Sequence, residues 1–425
     1  MTAVRKLEVK SFSCIEHAAL EIAELTVIIG PQASGKSVLC KLFYFFSTAL
    51  TQMPRWLIDE AGIDTISTRI LEEFSELFQP SSWGKKAFSI TYTDGPYEIS
   101  ISRSRSRTNS GKAKVALSDA ITDLIEKAQA AFTRITTKSD ASREPIEVSW
   151  RVQEAVTQLF DKALGKYAPE EQLYIPAGRS FFTSIGKIVT AFDDRSMLDP
   201  VVTRFGRLIT SIREHSFLNT FPSSPLLKTI ERLIDGEVVN EKGKQFLSTT
   251  DGRSVPFSAL SSGQQELLPL LHALRFSVAY PRQKPSLLYI EEPEAHLFPS
   301  AQTALVEMFA QLTNAKPAGP KSRTTRLKII LTTHSPYVLA KINNLIKAGS
   351  LANKLSADKR KELDKIIPSS AWLDPSRVAA YAISERRLVK IVDEYGLIDG
   401  DYIDDVSATT GMEFENMLEM EANLD

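Results

Sequence analysis

The chain has 425 residues, with 51 basic and 52 acidic side chains and a net charge of −1, which excludes a uniformly basic surface that would grip nucleic acid by charge alone. Two cysteines, Cys14 and Cys40, are too few for a disulfide framework or a cysteine-built zinc cluster and point to a reducing cytoplasmic compartment. No apolar run reaches the roughly 20 residues that span a bilayer, no signal peptide is expected at the N-terminus, and the length exceeds the roughly 250–300 residues of one core, so more than one lobe is expected.

The first elements are an alternating apolar–polar run from Leu7 to Ile15 and another from Ala19 to Ile22, which suit an antiparallel hairpin. Leu25–Thr26–Val27–Ile28–Ile29 is continuous, β-branched and apolar, and reads as a buried strand. It runs into Gly30–Pro31–Gln32–Ala33–Ser34–Gly35–Lys36–Ser37, a full match to G-x-x-x-x-G-K-[ST], and then into a helix from Val38 to Phe46. Strand, glycine loop and helix together form the anion nest that this motif needs. Lys36 is expected to reach β- and γ-phosphates, and the Ser37 hydroxyl to hold Mg²⁺; ATP is the ligand implied.

Arg55–Phe78 and Asp119–Phe132 read as helices, and Phe88–Ser102 as two strands about the Asp94–Gly95–Pro96 turn. Arg103, Arg105, Arg107, Lys112 and Lys114 form a basic, Ser/Gly-rich stretch, read as solvated rather than phosphate-binding. Helices at Val148–Leu164 and Thr203–His215 are expected to share a helical lobe. A short strand, Ser254–Phe257, precedes Leu260–Ser261–Ser262–Gly263–Gln264–Gln265–Glu266 and a long apolar helix. A serine and a glycine at a helix start make a second anion site.

Leu287–Leu288–Tyr289–Ile290 is a strand that ends in Glu291–Glu292–Pro293–Glu294. Carboxylates at the end of a buried strand are costly unless something receives them; beside a phosphate loop, that receiver is the metal and the attacking water. Glu291 is assigned to the Mg²⁺ shell, and Glu292 to the general base. Lys316–Arg326 reads as a basic connector. The strand Leu327–Leu331 ends in Thr332–Thr333–His334–Ser335, which resembles the switch-histidine segment of ABC ATPases, and that resemblance implies a γ-phosphate sensor at His334. After Lys390 only acidic charge accumulates, and Phe414, Met417 and Leu418 can share one face of a last helix that binds a partner or folds back onto the head.

The order of these four motifs resembles that of ABC ATPases. Leu260–Gln264 is similar to their L-S-G-G-Q signature, with Ser262 in place of the first glycine. The opening hairpin, Tyr174–Ile175–Pro176–Ala177–Gly178–Arg179–Ser180, and Glu291–Glu292–Pro293–Glu294–Ala295–His296–Leu297–Phe298–Pro299 resemble elements of the RecF/SMC/OLD-like branch. Glu291 stands where that branch more often has Asp, and Phe298 where it has His. The resemblance implies an α/β P-loop head with a mixed sheet, an N-terminal antiparallel part and a helical lobe. The gap between Lys36 and Ser261 shows no sustained heptads, so no long coiled coil is expected.

The resemblance also implies a homodimer, or a higher homo-oligomer, closed around ATP. Ser261, Ser262, Gly263 and Gln264 would then cap the nucleotide held by the other copy's Gly30–Ser37. Arg179 is open between a place near the nucleotide or dimer seam and a surface salt bridge. Expected divisions are 1–48 (hairpin and phosphate loop), 49–170 (inserted α+β region), 171–253 (helical lobe), 254–345 (signature, acidic strand and His334) and 346–425 (a helical, acidic C-terminal region). ATPases of this build occur in anti-phage systems such as PARIS and Septu, where they act with a separate nuclease or toxin. This role is the leading expectation; a RecF-like ATPase that clamps DNA is the alternative, and a transporter ATPase is the remote third. Nucleic acid is left open as a partner, and no membrane is expected.

Overall fold

The computed structural model describes residues 5–59, 63–104, 111–138, 145–165, 171–185, 199–214, 225–241, 244–279, 287–315, 327–400, 402 and 412–418. In chain order, the first half contains β1 (Arg5–Phe12), β2 (Ile15–Glu21), β3 (Leu25–Ile29), α1 (Lys36–Asp59), α2 (Ile63–Leu77), β4 (Phe88–Asp94), β5 (Tyr97–Arg103), β6 (Ala113–Leu117), α3 (Asp119–Lys138), α4 (Pro145–Leu164), β7 (Gln172–Ile175) and α5 (Ser180–Ile185). The second half contains α6 (Pro200–Glu214), α7 (Pro225–Ile234), β8 (Gly236–Glu241), β9 (Lys244–Thr249), β10 (Ser254–Pro256), α8 (Ser262–Ala279), β11 (Leu287–Glu291), α9 (Pro299–Asn314), β12 (Lys328–Thr333), α10 (Pro336–Ala352), α11 (Ala357–Ile366), β13 (Val378–Ser384) and β14 (Arg387–Lys390).

Eleven strands form one mixed sheet in the order β6-β5-β4-β1-β2-β14-β13-β3-β12-β11-β7. Strands β6 to β2 pair antiparallel, while β13, β3, β12, β11 and β7 are parallel neighbours. The hairpin β13–β14 joins the two parts, since β14 is antiparallel to β13 and parallel to β2. This is the mixed α/β phosphate-loop head expected from the sequence.

The parallel strands read as unbroken apolar runs because both their faces are covered. Alternate residues enter two different cores: Leu287 and Tyr289 of β11 lie in the first, and Leu288 and Ile290 in the second. Strand β13 does the same, with Ala379, Tyr381 and Ile383 on one side and Val378, Ala380 and Ala382 on the other. A period of two along a doubly covered strand has this result.

In the antiparallel part, Leu7 and Val9 of β1 are buried, while the residues between them are half-buried. The β4–β5 turn places Gly95 at φ +61°, and Arg5 donates to Asp94 across β1 and β4 at 2.8 Å.

Four sequence expectations change. Helix α1 runs through Pro54 to Asp59 instead of breaking near Phe46. An internal proline costs about 3 kcal/mol, but Met53, Trp56 and Leu57 are all buried there, and each such side chain contributes about 1.5–3 kcal/mol. Helices α4 and α6 face mainly different cores: Val152, Val156 and Phe160 of α4 enter the first, whereas Phe205, Ile209 and Ile212 of α6 enter the second and only its Val201 reaches the first. The region 346–425 is not simply helical and acidic, because it supplies β13, which pairs with β3 beside the phosphate loop. Arg103 is not solvated; it is buried, donates to the carbonyls of Gly84 and Lys86 and lies over the Trp83 and Phe88 rings.

Residues 412–418 form a helical turn with Met412, Phe414, Met417 and Leu418 exposed, so among the described residues this segment is not folded back. Arg105, Arg107, Lys316–Arg326, Asp401, Asp404, Asp405, Glu419, Glu421 and Leu424 lie outside the described residues. No helix among the described residues is long and apolar enough to cross a membrane.

Candidate functional site

The site is built where the parallel strands end, the usual ligand edge of such a sheet. Strand β3 is wholly buried and delivers the chain to Gly30, where φ is +152°; Ala33 follows at +60° and Gly35 at +108°. A methyl group on Gly35 would lie 2.5 Å from Ile15 Cδ1 and 2.8 Å from Cys14 Sγ, so the tip of the opening hairpin closes the loop from outside. Pro31, Gln32, Ala33 and Ser37 are exposed, whereas Gly30, Gly35 and Lys36 are buried.

Lys36 is the first residue of α1 and bends back into the loop: Nζ donates to the Gly30 carbonyl at 2.8 Å and to the Pro31 carbonyl at 3.0 Å. Burial draws its ammonium below the usual lysine value, against the opposing pull of Glu292, Glu294 and Glu291. The first N–H groups of α1 have no acceptor within the helix. Ser34 Oγ is buried and has no hydrogen-bond partner. A buried cation, a helix start and an orphan hydroxyl around a positive-φ loop fit a polyphosphate.

Strand β11 ends in Glu291, which is buried, and its carboxylate accepts from the Tyr174 hydroxyl at 2.6 Å and from Ala177 N at 3.1 Å. Each oxygen keeps lone pairs free, which suits a Mg²⁺ reached through water with few protein ligands. No cluster of three or more metal-ligating acidic, His or Cys side chains occurs among the described residues.

Glu292 leaves the sheet at φ +42°, with its N–H donated to the Thr332 carbonyl at 3.0 Å. Positive φ at a glutamate is strained backbone of the kind that collects at functional sites. Strand β12 brings His334 alongside: Nδ1 lies 3.8 Å from Glu292 and 3.5 Å from Glu294. The imidazole is more than half exposed and faces the open side of the site.

Glu294 was not singled out from the sequence, although the Glu-Glu-Pro-Glu run contains it. It is buried and accepts from Thr333 Oγ1 at 2.6 Å and from His334 N at 2.9 Å, so it fastens the end of β12 that carries the histidine. Its spacing was visible; its partners, supplied by a strand paired across the sheet, were not.

Of the two places left open for Arg179, the surface salt bridge is excluded, and the residue lies beside the acidic strand end. It is fully buried and donates to the carbonyls of Pro176, Glu291 and Glu292 at 3.0, 2.6 and 3.0 Å. Burial lowers it from the usual arginine value, while Glu266 first, then Glu294, Glu291 and Glu292, pull it back up.

The helix start at Ser261 stands apart. Ser261 and Ser262 are exposed, and Ser261 Oγ accepts from Gln264 N at 3.4 Å while Ser261 N donates to Gln264 Oε1 at 3.2 Å, a reciprocal capping box. A methyl on Gly263 would meet the His296 carbonyl at 2.8 Å, so this glycine admits the turn after β11. Among the described residues, no hydrogen bond or ion pair links Ser261–Gln264 to Gly30–Ser37. The structure therefore gathers Lys36, Glu291, Glu292 and His334 at the ends of β3, β11 and β12, and among the described residues gives Ser261, Ser262, Gly263 and Gln264 no hydrogen bond or ion pair to them.

The family described as "AAA domain, putative AbiEii toxin, Type IV TA system" matches residues 25–340, well over half of the chain. No curated protein matches the sequence. Among solved structures, the SMC head domain from Thermotoga maritima is 13% identical, with 92% of this chain and 99% of that one covered and a TM-score of 0.37. An SmcHead bound to the C-winged helix domain of ScpA is also 13% identical, covering 91% of this chain and 97% of that one with a TM-score of 0.39. A Pyrococcus furiosus Smc head domain with an extended coiled coil, bound to the C-terminal domain of ScpA, is 10% identical, covering 91% and 96% with a TM-score of 0.35.

Proposed function

The chain belongs to this family of AAA domains, and from that premise we propose that it is an ABC-type ATP hydrolase whose heads pair around the nucleotide. ATP supplies the phosphoanhydride to be cleaved, and Mg²⁺ offsets the phosphate charge. Lys36 exchanges its two loop carbonyls for phosphate oxygens. Ser34 Oγ and the first N–H groups of α1 complete the cradle, and Ser37 and Glu291 serve the metal. Glu292 takes the proton of the attacking water, and His334, held between Glu292 and Glu294, orients that water.

One observation carries the reading. Lys36, Glu292 and His334 meet at adjacent strand ends, yet the second serine–glycine helix start, at Ser261, is exposed and among the described residues makes no direct hydrogen bond or ion pair with them. A second copy presenting Ser261 to this edge completes the site, and the same contact recurs by two-fold symmetry. Slow turnover then acts as a timer for closure.

The family description names a toxin–antitoxin system, which favours a chain that works with a separate protein. We extend this to control of a nuclease or toxin effector in bacterial anti-phage defence. The inward, aromatic-stacked Arg103 takes one cation away from the basic stretch that a DNA clamp could use.

The decisive experiment is sizing of Glu292→Gln with and without ATP and Mg²⁺. Dimers that appear only with nucleotide are expected; a monomer under both conditions removes the reading.

A further inference from the structure

The chain between β7 and α5 touches both halves of the proposed machinery. On one side, Tyr174 Oη and Ala177 N hold the Glu291 carboxylate, and the Arg179 guanidinium holds the carbonyls of Glu291 and Glu292. On the other, Arg179 N and Ser180 N donate to the Glu266 carboxylate at 2.9 and 3.2 Å, and Arg179 Nε donates to the Glu266 carbonyl at 3.2 Å. Thr183 Oγ1 adds a bond to the Gln265 carbonyl at 2.8 Å. Glu266 and Gln265 lie in the first turns of α8, directly behind Ser261 and Gly263.

This segment has little room to yield. Arg179 and Glu266 are both buried, and Tyr174 is packed edge-on by Tyr44 and stacked on Tyr289. A buried guanidinium joined to several carbonyls and a carboxylate loses heavily if one partner moves alone. Displacement of α8 is therefore passed to the end of β11, where Glu292 already sits at a strained positive φ.

We propose that Tyr174–Ser180 is a coupler, with Arg179 and Tyr174 as positioning residues, through which the docking of Ser261 on a partner sets the orientation of Glu291 and Glu292 in the same head. The inference rests on the paired-head reading above and adds a direction to it. Capping the partner's nucleotide licenses hydrolysis of the head's own nucleotide, so the two sites fire together.

The test compares wild type, Glu266→Gln, Tyr174→Phe, Ser261→Arg and the Ser261→Arg/Glu266→Gln double variant for ATP affinity, ATP-dependent dimerisation and kcat. Glu266→Gln keeps the side-chain shape, and Tyr174→Phe removes a single hydroxyl. Both are expected to bind ATP and dimerise as wild type does while kcat falls about tenfold or more. The double variant is expected to hydrolyse no more slowly than Ser261→Arg, because with docking blocked there is nothing left to transmit. Where Glu266→Gln does not fold, Tyr174→Phe alone and combined with Ser261→Arg decides the matter.

Normal kcat in the single variants, losses that add in the double variant, or ATP affinity falling in step with kcat would each overturn the coupling. A wild-type protein that stays monomeric with ATP removes the paired-head reading, and this inference with it; a wild-type dimer with an indifferent Glu266→Gln removes the coupling alone.

Discussion

The loop before α1 and the turn before α8 are both helix starts built from serine and glycine, yet they have opposite surroundings. The first is enclosed: Lys36 is buried, Gly35 is closed over by Ile15 and Cys14, and three carboxylates lean on the cation. The second is open: its serines are exposed, and among its first N–H groups that of Gln264 donates to its own Ser261 Oγ. Equal local chemistry thus becomes an enclosed loop in one place and an exposed turn in the other. A helix start attracts anions in either setting, but only the enclosed one has a buried lysine with three carboxylates beside it.

That contrast breaks most visibly at Glu292. Glu292→Gln should lower turnover by about 10²–10⁴-fold, the usual range for a general base, with ATP-bound dimers accumulating on a sizing column. Lys36→Ala attacks the enclosed start itself and should weaken ATP binding by roughly 100-fold in titration calorimetry. Ser261→Arg attacks the open start. It should abolish ATP-dependent dimers while leaving ATP affinity close to wild type; equal loss of affinity would mean that the two starts serve one nucleotide within a single chain.

Glycine substitutions sharpen the comparison. Gly35→Ala combines φ +108° with a methyl 2.5 Å from Ile15 Cδ1, and should lose about 1–3 kcal/mol of stability together with ATP binding. Gly263→Ala puts a methyl 2.8 Å from the His296 carbonyl and 3.6 Å from Leu297 Cδ2 without a positive φ, and should spare ATP binding while impairing dimers. Thermal melts with and without ATP separate the two.

The smallest effect concerns acid sensitivity in the α8 region. Burial first, then Arg213 and Arg275, push His272 down to about 3, and its Nε2 has no partner. The unfolded chain binds a proton near pH 6.5 that the folded chain refuses, so this contribution is complete above pH 6.5 and is lost as pH falls toward 3. At pH 5 the loss is about 2 kcal/mol. His272→Leu should flatten the urea midpoint between pH 7 and pH 5, and an unchanged slope would contradict the assignment.

Much of the site could be read directly from the chain. Gly30–Ser37, Glu291–Glu292 and His334 are each carried by a run of neighbours, and the backbone alone brings their chemistry to a strand end. The hairpin and the strands β4 and β5 were legible because one-sided burial writes a period of two into the sequence. Arg179, Tyr174, Glu294 and Glu266 were not legible as a set. Each is an ordinary polar residue whose partners lie on other elements, so nothing local distinguishes a buried clamp from a surface ion pair.

The amino-acid order by itself determined the phosphate loop, the acidic strand end and the capped helix start, because turns, caps and strand runs are short-range consequences of residue type. Only tertiary structure decided that β13, from the far end of the chain, lies against β3, and that Arg179 ties α8 to β11. It also decided that one serine–glycine helix start is enclosed and the other left bare. Those outcomes depend on which distant surfaces exclude water together, and burial of that kind is a property of the packed molecule rather than of any segment.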